Sequence, residues 1–204
     1  MKNFPKAGLL IVTLVIPALI FIFLKFFARN HYDLPYFNPE RNKADAVIVQ
    51  NGDTLFHKVS DRIFTQKQVK FSGKLTVLHY LPETCGDTCK LVVSQLQRIS
   101  ALHSEILELN VLTLSQGIAN RNGEVPGANG KEWKLFTYPE SEITSFFENE
   151  LGIQKGQLEN AQDLIILVDA NGFVRGYYKG VDPEEIERLM AEIKILAYEG
   201  NVTK

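Results

Sequence analysis

The chain has 204 residues with 24 acidic and 22 basic side chains, 45% hydrophobic residues and only two cysteines. Every acidic residue lies beyond position 27, whereas Lys2, Lys6 and Lys25 precede that point, so the remaining ~175 residues carry a net charge near −5. That balance argues against a nucleic-acid partner or an anionic-lipid surface, and two cysteines are too few to staple a domain of this size.

From Ala7 to Leu24 no residue is charged, and Phe26 and Phe27 continue the apolar run past Lys25. About 20 residues at ~1.5 Å rise span a bilayer core of ~30 Å, and a mid-run Pro17 is better tolerated in lipid than in water. The run exceeds a signal-peptide core, and no Ala-x-Ala-like site follows it; the alternative is a cleaved signal. The expectation is a cytoplasmic tail over residues 1–6 and an uncleaved transmembrane signal anchor over 7–27. A tether follows over 28–44, and residues 45–204 form a domain on the extracytoplasmic, periplasmic side. The charge bias that sets this orientation is slight.

Residues 46–56 read as a β-hairpin around Asn51-Gly52. Leu75-Thr76-Val77-Leu78-His79-Tyr80-Leu81 reads as a buried strand, and it leads into Cys85-Gly86-Asp87-Thr88-Cys89. An amphipathic helix follows, with Leu91, Val92, Leu96, Ile99 and Leu102 at helical spacing. Residues 106–114 alternate as a second core strand. Residues 115–131, with four glycines and Pro126, read as a long loop. Trp133 to Thr137 is a short strand, and residues 139–151 are helical, with Ile143, Phe146, Phe147 and Leu151 on one face and Gly152 as the stop. Leu164 to Val168 is a continuous apolar strand, and Asp169-Ala170-Asn171-Gly172 turns it into a partner over 173–178. The last helix has Asp182 as N-cap and Pro183 at its first position. A strand-helix-strand unit followed by a hairpin and a closing helix is the thioredoxin arrangement: an α/β fold with a central mixed sheet flanked by helices. Here it carries an added N-terminal hairpin.

The cysteine pair therefore falls at a strand-to-helix turn, where the helix N-terminus favours thiolate. Four residues apart on a helical turn, the α-carbons lie ~6 Å apart, within the disulfide range. The same spacing lets two thiolates hold one soft cation, Cu(I) or zinc. Glu83 and Asp87 oppose thiolate formation, while Lys90 and the helix dipole favour it. The polar flanks make burial of the pair unlooked-for. In an exchange reaction Cys85, the outer sulfur, attacks a partner disulfide and Cys89 resolves the mixed disulfide.

These residues resemble the Sco/SenC family of membrane-anchored, thioredoxin-fold proteins. The likeness is carried by Asn51-Gly52-Asp53-Thr54, by Thr84-Cys85-x-x-x-Cys89, by Trp133 to Thr137 with the helix after it, and by Leu167-Val168-Asp169-Ala170-Asn171-Gly172. It implies a role in maturing the copper centre of cytochrome c oxidase, with Cys85 and Cys89 as catalytic thiols and as Cu(I) ligands, and an oxidase subunit with a cysteine/copper site as partner. The chain departs from the family at Gly86 and Lys90, where prolines are usual. It also departs near Ala161, where the family's copper-ligand histidine is absent from Asn160-Ala161-Gln162-Asp163. Among other candidates, His79 reads as a satisfied strand histidine, His103 closes a helix too far from Cys89, His57 and His31 read as surface, Gln162 is a poor Cu(I) ligand, and Met190 reads as core. Dithiol exchange within a Sco-like role is the favoured function. A general periplasmic thiol–disulfide oxidoreductase and a non-catalytic partner-binding protein with a static disulfide are the alternatives.

Overall fold

A computed structural model describes residues 4–27, 34–67, 69–83, 86–116, 133–158 and 161–202. The chain divides into two units, residues 1–33 and 34–204. The first contains one helix, α1 (Phe4–Phe27), with Pro17 inside it. Its described side chains are Gly8 and residues 12–23, and Val12, Leu14, Ile16, Leu19, Phe21 and Phe23 are all exposed. Among the described residues no helix is long and apolar enough to cross a membrane. The anchor expected over 7–27 falls on this helix, with side chains described only at Gly8 and residues 12–23.

The second unit begins at Leu34, earlier than the expected boundary at 45. Residues 34–44, read from sequence as tether, are tied into the domain. Phe37 N–H donates to Val174 O at 2.9 Å, Pro39 bridges Phe56, and Tyr36 packs its ring on Phe56 and Phe173. Residues 28–33 of that call lie outside the described residues.

The hairpin forms as expected but is short: β1 (Val49–Gln50) pairs antiparallel with β2 (Asp53–Thr54). Asn51 and Gly52 have φ of 55° and 93°, the left-handed pair that a two-residue turn of this hand needs. A 3-10 segment (Arg62–Lys67) leads to β3 (Leu75–Leu81), α2 (Asp87–Ala101) and β4 (Leu109–Ser115). Then come β5 (Trp133–Thr137), α3 (Glu140–Asn149), β6 (Leu164–Val168), β7 (Val174–Lys179) and α4 (Pro183–Val202). The five-stranded sheet has the order β5-β4-β3-β6-β7. Strands β3, β4 and β5 run parallel, while β6 is antiparallel to both β3 and β7.

Strand β4 starts at Leu109 rather than near 106, because pairing with β3 begins at Leu75↔Leu109. Ile106 is buried in the turn before it. The loop expected over 115–131 lies outside the described residues from 117 onward. Every residue of β3 is buried, as a central strand covered on both faces requires.

Alternation along β3 distributes the core between two layers. Leu75, Val77 and Leu81 join α2 and α4 through Val92, Leu96, Ile99, Ile186, Leu189 and Ile193. Leu78 and Tyr80 join α3 and the 59–71 segment through Phe64, Phe71, Ile143, Phe146 and Phe147. The cysteine-bearing helix thus packs on one face of the sheet, nearest β4.

Candidate dithiol–disulfide site

Helix α2 begins one residue after Gly86, an extended N-cap (φ −83°, ψ −167°) that offers no side-chain oxygen. No side-chain cap is made at that position, and the positive end of the helix dipole lies at this first turn. Cys89 sits in this first turn, 0% exposed and disulfide-bonded. The chain has one other cysteine, Cys85, which lies outside the described residues and is the only intrachain partner available.

Burial of Cys89 corrects the sequence expectation drawn from its polar flanks. The flanking Gly86, Asp87 and Thr88 are exposed, but Cys89 lies on the inward stripe of α2 with Val92, Val93, Leu96 and Ile99. That i, i+3, i+7 register was legible, since a helical side chain follows its stripe and not its neighbours in sequence. Leu91, read as part of the apolar face, is instead 44% exposed, and Val93 takes the inward place.

The charges around the pair also resolve. Lys90 Nζ pairs with Asp87 Oδ1 at 3.1 Å across an exposed turn. The expected opposition between a favourable lysine and an unfavourable aspartate is thus internal to one solvated ion pair of little net effect.

The four histidines separate clearly. His57 is not a free surface group: its Nε2–H donates to Glu150 Oε2 at 3.0 Å, and the Ser60 N–H donates to the same oxygen at 2.8 Å. His103 donates from Nδ1 to Leu109 O at 3.0 Å, closing the turn after α2. His31 lies outside the described residues. His79 is 0% exposed in β3, and its Nε2–H donates to Gln162 O at 3.2 Å. Desolvation lowers its pKa to about 4, against a smaller opposing effect of that hydrogen bond. Its Nδ1 has no hydrogen-bond partner among the described residues, so His79 is only half satisfied. Sequence reading missed this, because the carbonyl it meets belongs to a backbone turn 83 residues away.

Ala161 is buried in the layer of α3, with Leu158 and Ile166, whereas Cys89 lies in the layer of α2 and α4. Met190 packs partly buried against that second layer, as expected of a core residue. Among the described residues no group of three His, Cys, Asp or Glu side chains is arranged to hold a metal ion. The family's third copper ligand has no counterpart at Ala161, and Cys85 lies outside the described residues.

A clamp that the sequence did not reveal holds the start of the domain. Arg175, 6% exposed, pairs with Asp169 Oδ2 at 3.0 Å and donates to the carbonyls of Leu34 and Pro35. Its guanidinium lies 4.0 Å over the Tyr36 ring. The only sequence signal was a charged residue at an inward position of β7.

No family model matches the chain, and no curated protein matches it. Among solved structures it is similar to a SCO1/SenC family lipoprotein from Bacillus anthracis, at 21% identity and a TM-score of 0.50 over 62% of this chain and 83% of that one. The fold is thioredoxin-like. Two further likenesses are weaker in superposition. One is to BsSco, a member of the Sco family of cytochrome c oxidase assembly proteins (16% identity, TM-score 0.49, covering 83% of this chain and 95% of that chain). The other is to a thiol:disulfide interchange protein DsbE of Chlorobium tepidum (14% identity, TM-score 0.43, covering 62% and 82%).

Proposed function

We propose that this thioredoxin-like protein is a Sco-like thiol–disulfide exchange protein, anchored by residues 7–27 with its domain outside the cytoplasm, and that it serves the copper centre of cytochrome c oxidase. The observation that carries the reading is the disulfide at Cys89 in the first turn of α2, immediately after the central strand. A disulfide there cycles between a buried sulfur and the sequence-outer Cys85. The anchor is read from the uncharged run Ala7 to Leu24 and from the exposed aliphatic and aromatic side chains of α1 within 12–23. Because Ala161 stands where the family's copper-ligand histidine is expected, the reaction assigned is dithiol exchange on a partner's cysteines, with no step through copper.

In this reaction Cys85 thiolate attacks one sulfur of the partner disulfide and expels the other. Cys89 then attacks Cys85 Sγ and releases the partner as a dithiol. Two electrons pass from the pair to the partner. With Cys89→Ser the second attack is lost, so a mixed disulfide with glutathione disulfide accumulates on Cys85; with Cys85→Ser none forms. Mass spectrometry of the full-length protein in detergent reads both. Mixed disulfide on neither variant would sink the exchange reaction. In cells, restoration of oxidase activity to a strain lacking the protein by the wild-type chain, and not by Cys85→Ser, tests the oxidase assignment.

Full burial of Cys89 also favours a second reading, a static disulfide in a partner-binding domain. A reduction potential well below about −300 mV is the mark of that alternative.

A further inference from the structure

His79 is a buried titratable side chain that the exchange reaction leaves without a task, and its surroundings lead toward Cys89. Its neighbours in alternation, Val77 and Leu81, share the layer of Cys89, whereas Leu78 and Tyr80 face the other way. His79 therefore projects from β3 toward α2 and α4. Its Nε2 is fixed on Gln162 O. The next residue, Asp163, brings the same turn up against α2: Gly180 N–H bonds to Asp163 O, and the space over Gly180 is closed by Val92 side-chain carbons and by that same carbonyl. Val92 stands one turn after Cys89 on the same inward stripe. The imidazole thus lies on the face of the sheet that α2 covers.

A carbonyl only accepts, so the ring nitrogen facing Gln162 O carries the hydrogen, and Nδ1 presents a bare lone pair. Burial keeps the ring neutral at pH 7 and preserves that tautomer. With Cys89 in a disulfide there is no S–H to meet the lone pair, and Nδ1 is buried without a partner among the described residues. A buried polar atom in that condition costs free energy.

We propose that His79 Nδ1 is the acceptor for the Cys89 S–H that forms when the disulfide opens, making His79 the positioning residue that sets the redox balance of the pair. The inference rests on the exchange reading above. When a partner dithiol reduces the disulfide, two electrons enter the pair, the partner leaves as a disulfide, and its two protons end on the Cys85 and Cys89 sulfurs. The Cys89 thiol is buried, and Nδ1 satisfies it. Reduction therefore removes an unpartnered atom and gains a hydrogen bond at once, both of which favour the dithiol.

The two ring nitrogens can be tested apart on the full-length protein in detergent micelles. His79→Gln keeps a donor where Nε2 stands and loses the acceptor at Nδ1. His79→Asn keeps an acceptor at the level of Nδ1 and loses the bond to Gln162. Equilibration with glutathione is expected to show His79→Gln shifted five- to tenfold toward the disulfide (tenfold being ~30 mV), with His79→Asn within about twofold of wild type. A His79→Gln value within twofold of wild type overturns the proposal, as does a larger shift in His79→Asn, which would mark His79 as a strut for the 162–163 turn. Nitrogen-15 NMR of the wild-type protein needs no variant to fold. The His79 Nδ1 resonance is expected to move upfield on reduction with dithiothreitol while Nε2 holds, and an unmoved Nδ1 overturns the inference. If neither glutathione nor dithiothreitol opens the wild-type disulfide, the exchange reading itself fails and takes this inference with it.

Discussion

At the scale of single residues, His79 makes the stability of this domain depend on pH. Its folded pKa of about 4 lies below the ordinary histidine value of 6.5, so between those values the unfolded chain binds a proton that the folded one refuses. The stability is fully present above pH 6.5 and is lost as pH falls toward 4, by about 3 kcal/mol in all at ~1.4 kcal/mol per unit. Denaturant unfolding followed from pH 7 to pH 4 is expected to show that slope in the wild-type protein and a shallower one in His79→Gln; equal slopes would remove His79 as its source. Thr76 provides a contrast on the same strand. Its hydroxyl is buried with no hydrogen-bond partner among the described residues, so Thr76→Val keeps the shape and removes an uncompensated group. We expect it to be neutral or stabilising by up to ~1 kcal/mol, read as an unchanged or raised melting temperature; a clear fall would show that Thr76 has a partner.

At the scale of elements, the junction between α2 and the start of β6 holds the site together. A Cβ on Gly180 would lie 2.9 Å from Val92 Cγ1 and 3.0 Å from Asp163 O, too close for either neighbour to stay in place. Gly180→Ala therefore pushes the second turn of α2, which carries Val92, away from the 162–163 turn, at a cost of about 1–3 kcal/mol. Chemical denaturation should show that loss, together with faster alkylation of Cys89 in the reduced protein; wild-type stability would mean that the two elements are not wedged there. A second junction joins the domain's first residues to α3. Asn38 Nδ2 donates to Glu150 O at 3.0 Å and its side chain fills the space over Gly152, whose φ is +71°. Asn38→Ala removes that tie, and we expect a loss of ~1 kcal/mol in the same measurement.

Local chemistry in the sequence announced most of these elements. Asp182 and Pro183 marked the start of α4, where Glu184 N–H bonds to Asp182 Oδ1 at 2.9 Å. The Asn51-Gly52 turn and the apolar run at β6 were equally plain. What stayed hidden depends on contacts far apart in the chain. The polar residues at 83–88 suggested an exposed pair, yet the helical register turns Cys89 inward. His79 meets a carbonyl that only the sheet topology brings near, and Arg175 draws residues 34–35 into a domain whose composition placed them in a tether.

For the whole molecule, a thioredoxin-like sheet carries the disulfide-bonded Cys89 in the helix that follows its central strand. The lower layer of α3 and the 59–71 segment supports the sheet from behind. Such an arrangement works only if the couple opens within the range of a partner dithiol. The reduction potential of the full-length protein, by glutathione titration with thiol trapping, is the most direct check. The account predicts a single two-electron transition above about −300 mV. A disulfide that stays closed well below that value would contradict it and leave Cys85 and Cys89 as a fixed staple.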